Sequence, residues 1–240
     1  MWVISLAAWT PYYRQKLKLV ALPSINAALA HATGPIQFIL HTDEPSDFKD
    51  THFAGDVDIR LFRPDSCALY QSYGNADRLA LEMAPEDANI ALLTSDIIVN
   101  VEFFANAEKR FAEGKRCVIG SAARTLADLS DIPVGLKARE LLDWGFDPIR
   151  LHPVTAGCMW GTGRNSVAWM TYFLGPHGMV GRAFHLHPFA LVNDRVLHFD
   201  RVTVDLDLME CFARDELYVA CDPSEFAFCE ISGMEKNVPQ

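Results

Sequence analysis

Residues 87–99, DANIALLTSDIIV, decide how this chain is read. Ile90, Ala91, Leu92 and Leu93 form a short apolar run of the kind expected from a strand buried on both faces. The run ends in Thr94, Ser95 and Asp96, and apolar residues then resume. A carboxylate at the carboxyl end of a central strand lies where open α/β sheets bind ligands. Asp is also a common cap and turn residue. The stretch alone leaves both readings open, and its surroundings have to choose between them.

Upstream, residues 2–7 read as a buried strand, and Thr10-Pro11 starts a helix with proline at a tolerated first-turn position. Leu17, Val20, Ala21, Ile25, Ala28 and Leu29 keep helical spacing. Pro23-Ser24 is expected to kink or divide that helix, and Gly34-Pro35 to stop it. Residues 36–40 are a second apolar strand, ending in His41-Thr42-Asp43, and residues 57–62 a third. Residues 66–83 are helical, with Gly74 as a point of interruption. Downstream of the central strand come a helix over 101–113, closed by Gly114, and a strand over 116–120. Strands alternating with helices in this way imply a mainly parallel sheet covered on both faces.

The second half reads differently. Residues 126–145 suggest one or two short helices broken at Ile132-Pro133. Short strands are expected at 154–160, 182–192, 202–208 and 217–229, and Asn165-Ser166 to start a hydrophobic helix over 167–174. No linker-like tract separates the halves. The expectation is one domain over 1–240, with 1–120 as a nucleotide-binding half and 121–240 as an acceptor or sugar half.

Half of the 240 residues are apolar, enough for a sizeable core, and the net charge is −10. That charge argues against a nucleic-acid groove or an anionic membrane surface as main partner. An anionic small molecule remains compatible, because a local cation outweighs a mean field. The six cysteines show no CxxC spacing, so reduced thiols are expected, not a disulfide framework or zinc site. The apolar run at the N-terminus is too short for a signal-peptide core or membrane span, which leads to the expectation of a cytoplasmic protein. No GxGxxG or GxxxxGK[ST] follows a strand.

Several constellations can carry chemistry. Thr42, Asp43 and Asp96 are expected at one edge of the sheet, with Arg78 on the helix entering the central strand and in reach of a phosphate. Gly157, within Thr155-Ala156-Gly157-Cys158-Met159, removes a side chain inside an apolar strand, which suits close approach by a ligand or a bulge. His185 and His187 share a strand face and, with His198, can serve a transition metal. Alternation over 202–208 puts Asp205 and Asp207 on one face, roughly 6–7 Å apart. Such a pair suits a cation, sugar hydroxyls or general-base work, and equally a solvated edge.

This layout resembles the GT-A fold glycosyltransferases: a Rossmann-like α/β half ending in an apolar strand with a terminal acid, then a mixed half with an Ala-Gly strand and a later acidic stretch. In that family an acidic motif, commonly D-x-D, holds a divalent metal that grips the diphosphate of a nucleotide sugar. The matching stretch here is Leu93-Thr94-Ser95-Asp96, with a single carboxylate. The resemblance implies a GT-A-like mainly parallel central sheet with helices on both faces and a mixed C-terminal extension. It implies sugar transfer from a nucleotide-sugar donor to an acceptor, assisted by Mn²⁺ or Mg²⁺. Displacement would take place at an anomeric carbon, with the metal stabilising the departing diphosphate. The implied roles are Asp96 and His187 for metal, Thr42, Asp43, Arg78, Ser95, Ala156 and Gly157 for the donor, and Asp205 and Asp207 for catalysis. Two further readings stay open: a non-catalytic nucleotide-sugar or glycan binder, and a metal-dependent hydrolase using His185 and His187.

Overall fold

A computed structural model describes residues 1–64, 69–120, 122–147, 170–175, 178–183, 188–195, 197 and 205–232. The first strand, β1 (Trp2–Ala8), is buried along its whole length. With no polar side chain but Ser5, it can only lie in the middle of a covered sheet. It pairs in parallel with β2 (Ile36–Thr42) on one side, and β2 in turn with β3 (Asp56–Leu61). On its other side β1 pairs in parallel with β4 (Asn89–Thr94), the strand of the decisive stretch.

Between β1 and β2 the chain forms α1 (Thr10–Lys16), a π-helical turn (Leu17–Ala21) and α2 (Leu22–Leu29). Pro23 has no N–H to donate, and its ring presses on the carbonyl four residues back, at Leu19. The wide π turn around Leu19 absorbs that conflict. The expected division of the helix therefore falls just before Pro23. A 3₁₀ turn (Pro45–Phe48) links β2 to β3, and α3 (Leu69–Met83) links β3 to β4, running through Gly74 without a break.

After β4 the chain turns at Ser95-Asp96 and leaves the main sheet as β5 (Ile97–Val99). Next come α4 (Phe103–Ala112), closed by Gly114 at φ +92°, then β6 (Cys117–Ile119), β7 (Ala123–Leu126) and α5 (Ala138–Gly145). β8 (Met170–Gly175) and β9 (Gly178–Ala183) form an antiparallel hairpin. The chain then adds β10 (Phe189–Val192), α6 (Asp205–Glu210), β11 (Leu217–Val219) and β12 (Phe228–Ser232).

Among the described residues the main sheet has seven strands in the order β11-β6-β10-β4-β1-β2-β3. All run the same way except β10, which is antiparallel to both its neighbours. The architecture is α/β with a mainly parallel central sheet. Alternate β1 residues feed two cores. Trp2, Ile4 and Leu6 pack with Leu17, Ile25, Phe103 and Phe104 from the α1–α2 and α4 side. Val3 packs with Ala80 and Leu81 of α3 and Leu208 of α6 on the opposite side. A smaller sheet, β5-β12-β7, packs on α5 through Ile98, Leu141 and Ile231.

Two sequence expectations are corrected. The run 167–174, read as a helix, contains the strand β8. Thr171, Tyr172 and Phe173 favour a strand, and periodicity alone cannot separate a short apolar helix from one. The run 202–208, read as a strand, contains the start of α6 at Asp205. The expected strand at 154–160 lies outside the described residues.

Glu225 fastens the C-terminal strands to α4. Its carboxylate accepts from Arg110, from Lys109 Nζ at 3.3 Å and from the Tyr218 hydroxyl at 2.9 Å. Its backbone carbonyl accepts from Asn100 at 3.0 Å and Asn106 at 2.7 Å. The Arg110 hydrogen bond holds the Glu225 carboxyl down at about 2, against an ordinary 4.5. A depressed acid stabilises the fold above its unfolded value and loses that contribution as pH falls through the folded one. Glu225→Gln should therefore lower the melting temperature at pH 7 and flatten its fall between pH 4.5 and 2, as read by circular dichroism. At Gly120, an added Cβ would run into the Phe228 ring and meet Pro188 Cδ at 2.8 Å. Gly120→Ala should destabilise the protein by about 1–3 kcal/mol in urea unfolding.

Candidate functional site at the carboxyl edge of the sheet

The parallel strands set the site's position. Ala8 is in register with Thr42 and Ala7 with Thr94, so β1, β2 and β4 end along one edge. Strand order reverses here, with β2 and β3 on one flank of β1 and β4 on the other, as at ligand-binding crevices of open α/β sheets. The three strand ends deliver Trp9-Thr10, Thr42-Asp43 and Ser95-Asp96 to this edge.

Thr10 adopts φ +67°, a left-handed conformation that a β-branched residue rarely takes. α1 begins there without a capping side chain of its own. Asp43, from the end of β2, takes over that role by accepting from the Thr10 N–H at 3.2 Å. A carboxylate at a helix N-terminus is favoured by the dipole. Asp43 also accepts from Arg14 Nη1 at 2.5 Å, and Arg14 Nε donates to Asp47 at 2.6 Å. Burial opposes the Arg14 charge, but Asp47 and Asp43 outweigh it and raise its pKa, while the Arg14 hydrogen bond lowers that of Asp47.

Asp96 sits in the turn between β4 and β5, its side chain 15% exposed, with Lys16 Nζ 3.4 Å from Oδ2. Its backbone carbonyl accepts from Ile231 N–H at 2.8 Å. Asp96 is thus at the carboxyl end of the fourth of seven strands, and it is not a helix cap. Lys16 is buried. Burial works against its charge, yet Asp96 and then Tyr12 prevail and raise its pKa.

On the α3 side of the edge, Trp9 packs on Tyr73 at 4.4 Å and on Phe62 at 5.6 Å, and the His41 ring meets Phe62 edge-on at 5.7 Å. Burial, then the Asp96 charge, pushes the Tyr73 phenol up, and its hydroxyl lies beside Ser95. Burial, reinforced by Arg60, pushes the His41 imidazole down. Among the described residues neither His41 nitrogen has a hydrogen-bond partner, nor has the Trp9 indole N–H, and both side chains are buried. Buried polar atoms are normally satisfied, and such exceptions ask for a water, an ion or a ligand.

The structure brings together Thr42, Asp43, Ser95 and Asp96 of the expected residues. Arg78 is exposed and donates to Asn75 on its own helix at 2.8 Å. Ala76 and Ala80 face the sheet, and helical geometry turns the residue midway between them outward. Asp77 faces inward instead and accepts from Ser5 at 2.8 Å. Asp205 and Asp207 lie in α6, where residues two apart do not share a face, so the alternation that paired them does not hold. Ala156, Gly157, His185, His187 and His198 lie outside the described residues. Arg14, Lys16, Asp47 and Tyr73 belong to this edge and were not singled out in the sequence. A basic residue on the first turns after β1 was the available signal for Arg14 and Lys16.

A divalent metal would need several oxygen ligands. At the strand end Asp96 is the one carboxylate, and an ammonium already stands beside it. Among the described residues no three His, Cys, Asp or Glu side chains gather into a metal-binding group. The described residues do not fit a divalent ion at Asp96. Cys117, Cys221 and Cys229 carry free thiols, and no described helix is long and apolar enough to cross a membrane.

No family model matches the chain, and no curated protein matches it. Among solved structures, HddC from Yersinia pseudotuberculosis is similar with a TM-score of 0.47 at 9% identity, over 96% of this chain and 93% of that one. S. aureus TarS is similar with a TM-score of 0.37 at 11% identity, over 51% of this chain and 22% of TarS. A TarS 1–349 structure gives 0.35 at 14%, over 52% and 36%. The chain thus matches about a fifth of the TarS length. Likenesses this distant bear on no residue or activity.

The strain at Thr10 is testable. Thr10→Gly removes the left-handed penalty and adds glycine's unfolded-state entropy, and the first is the larger. The variant should gain up to about 1 kcal/mol in urea unfolding.

Proposed function

We propose that this protein is a glycosyltransferase that takes a sugar from a nucleotide-sugar donor at the carboxyl edge of β1, β2 and β4. The observation that carries the reading is the convergence of Thr10, Asp43 and Asp96 where strand order reverses. Two features support it. The edge stores backbone strain at Thr10, and strained residues cluster at ligand sites. Beside it lie buried polar atoms on Trp9 and His41 that have no partner among the described residues. The sequence resemblance to GT-A enzymes supplies the reaction class.

In this reading Asp43 and Thr42 hold the nucleoside end of the donor, and Asp96 with Ser95 lies toward the sugar. Asp43 accepts hydrogen bonds from donor hydroxyl or ring N–H groups, while Arg14 keeps it oriented. Trp9 and Tyr73 wall the edge and keep water from it. Ala156 and Gly157 are proposed to line the sugar, as the resemblance implies. A nucleotide-sugar donor and an acceptor are the proposed partners.

The test is a thermal-shift panel of UDP-, GDP-, CDP- and dTDP-sugars on the purified protein. A specific ligand raises stability by mass action, by about 2.7 kcal/mol at a hundred times its Kd. One donor class should shift the melting temperature. Asp43→Ala and Asp96→Asn should each weaken its binding at least tenfold, about 1.4 kcal/mol. No shift with any donor would refute the reading. Binding without turnover over a broad acceptor panel would favour a non-catalytic binder.

A further inference from the structure

Three separate segments meet at the Lys16 ammonium. The side chain leaves the last turn of α1 and is 4% exposed. Its Nζ donates to the Ile231 carbonyl of β12 at 2.6 Å and lies 3.4 Å from Asp96 Oδ2 in the β4–β5 turn. It stands 4.6 Å from the centre of the Tyr12 ring and 5.5 Å from that of Tyr13. An ammonium has three donors and no acceptor. Here two donors go to oxygens and the remaining side meets aromatic faces, which attract a cation. This is a built cation site whose occupant belongs to the chain.

A divalent ion at Asp96 would compete with that occupant. It would have to sit beside a fixed ammonium, held in place by a backbone carbonyl of a different sheet, and draw its other oxygens from a turn with one carboxylate. Mg²⁺ and Mn²⁺ suit near-octahedral oxygen sites, and the turn does not supply one. We propose that Lys16 takes the place of the divalent cation at the acidic strand end. Asp96 is its partner and not a metal ligand, and ligand binding at this edge is independent of a metal on Asp96. Lys16 is a positioning residue: it orients the Asp96 carboxylate, and it ties the turn to β12. The claim about ligand binding rests on the glycosyltransferase reading, while the claim about Asp96 does not.

The experiment uses the full chain stripped with EDTA. Free Mn²⁺ is followed by electron paramagnetic resonance while MnCl₂ is added to wild type and to Asp96→Asn. The two should bind Mn²⁺ alike. A wild-type affinity that Asp96→Asn weakens tenfold or more would overturn the proposal, and no Lys16 variant is needed to see it. Melting temperatures of Lys16→Met, Asp96→Asn and the double variant test the pair itself. Both single changes should lower it, and the double variant should recover part of the Lys16→Met loss, because the stranded carboxylate is gone. Strictly additive losses would count against the pairing. A nucleotide sugar that shifts the melting temperature equally in EDTA and in Mn²⁺ supports metal-independent binding, and a shift seen only with Mn²⁺ overturns it. If no nucleotide sugar shifts it at all, the glycosyltransferase reading fails, and the Mn²⁺ comparison still decides what Asp96 binds.

Discussion

The chain changes sheets at Ser95-Asp96, and a carboxylate stands at that corner with little access to water. Burying an ion is unfavourable unless a partner of opposite charge and further hydrogen bonds replace its hydration. Lys16 is that partner, and the Ile231 carbonyl satisfies another of its donors. The Lys16 ammonium thus ties together the last turn of α1, the end of β4 and β12. The carboxyl edge can be polar without opening the core because this corner is closed from within.

The rest of the edge follows the same economy of charge. Asp43 and Asp47 stand together because Arg14 lies between them. Asp43 also caps α1, a helix whose own sequence offers no cap. The core beneath is apolar on both faces of β1, and Ser5 is tolerated in it because Asp77 accepts its hydroxyl proton. Trp9 and His41 lie buried beside that core with polar atoms that have no partner among the described residues. Together with the strained Thr10 they mark the place where local stability has been given up, which is the usual mark of a binding edge.

The first half of the fold was legible because a parallel strand buried on both faces leaves an unmistakable apolar run, as at Ile90–Leu93. Caps and breakers then marked helix ends at Pro11 and Gly114. The second half was less legible for a physical reason. Its elements are short, and tertiary pairing decides them. β8 exists because β9 pairs with it, and the three-residue β5 because β12 does. Asp205 and Asp207 alternate like a strand but occupy the start of a helix, since two residues cannot distinguish a period of 2 from one of 3.6. Thr42, Asp43 and Asp96 were legible because a strand end announces itself in sequence. The contacts that define their chemistry were not. Lys16 lies 80 positions from Asp96 and 215 from Ile231, and no local pattern encodes that meeting.

The return of the C-terminal segment explains why the edge needs both halves of the chain. β10 enters antiparallel between β4 and β6, and β11 extends the same sheet beyond β6. The central strand β4 therefore owes one of its two hydrogen-bonded neighbours to residues 189–192. β12 then covers β5 and brings Ile231 to Lys16, while Glu225, just before it, is clasped by Arg110 and Tyr218. A strand buried on both faces tolerates no unpaired backbone on either side. β10 supplies that pairing along Asn89–Leu92, and beyond the strand's carboxyl end the Ile231 N–H donates to the Asp96 carbonyl. The acid at its tip is placed by β12, because Ile231 donates to the Asp96 carbonyl and accepts from Lys16 Nζ, so the corner is built from both halves of the chain.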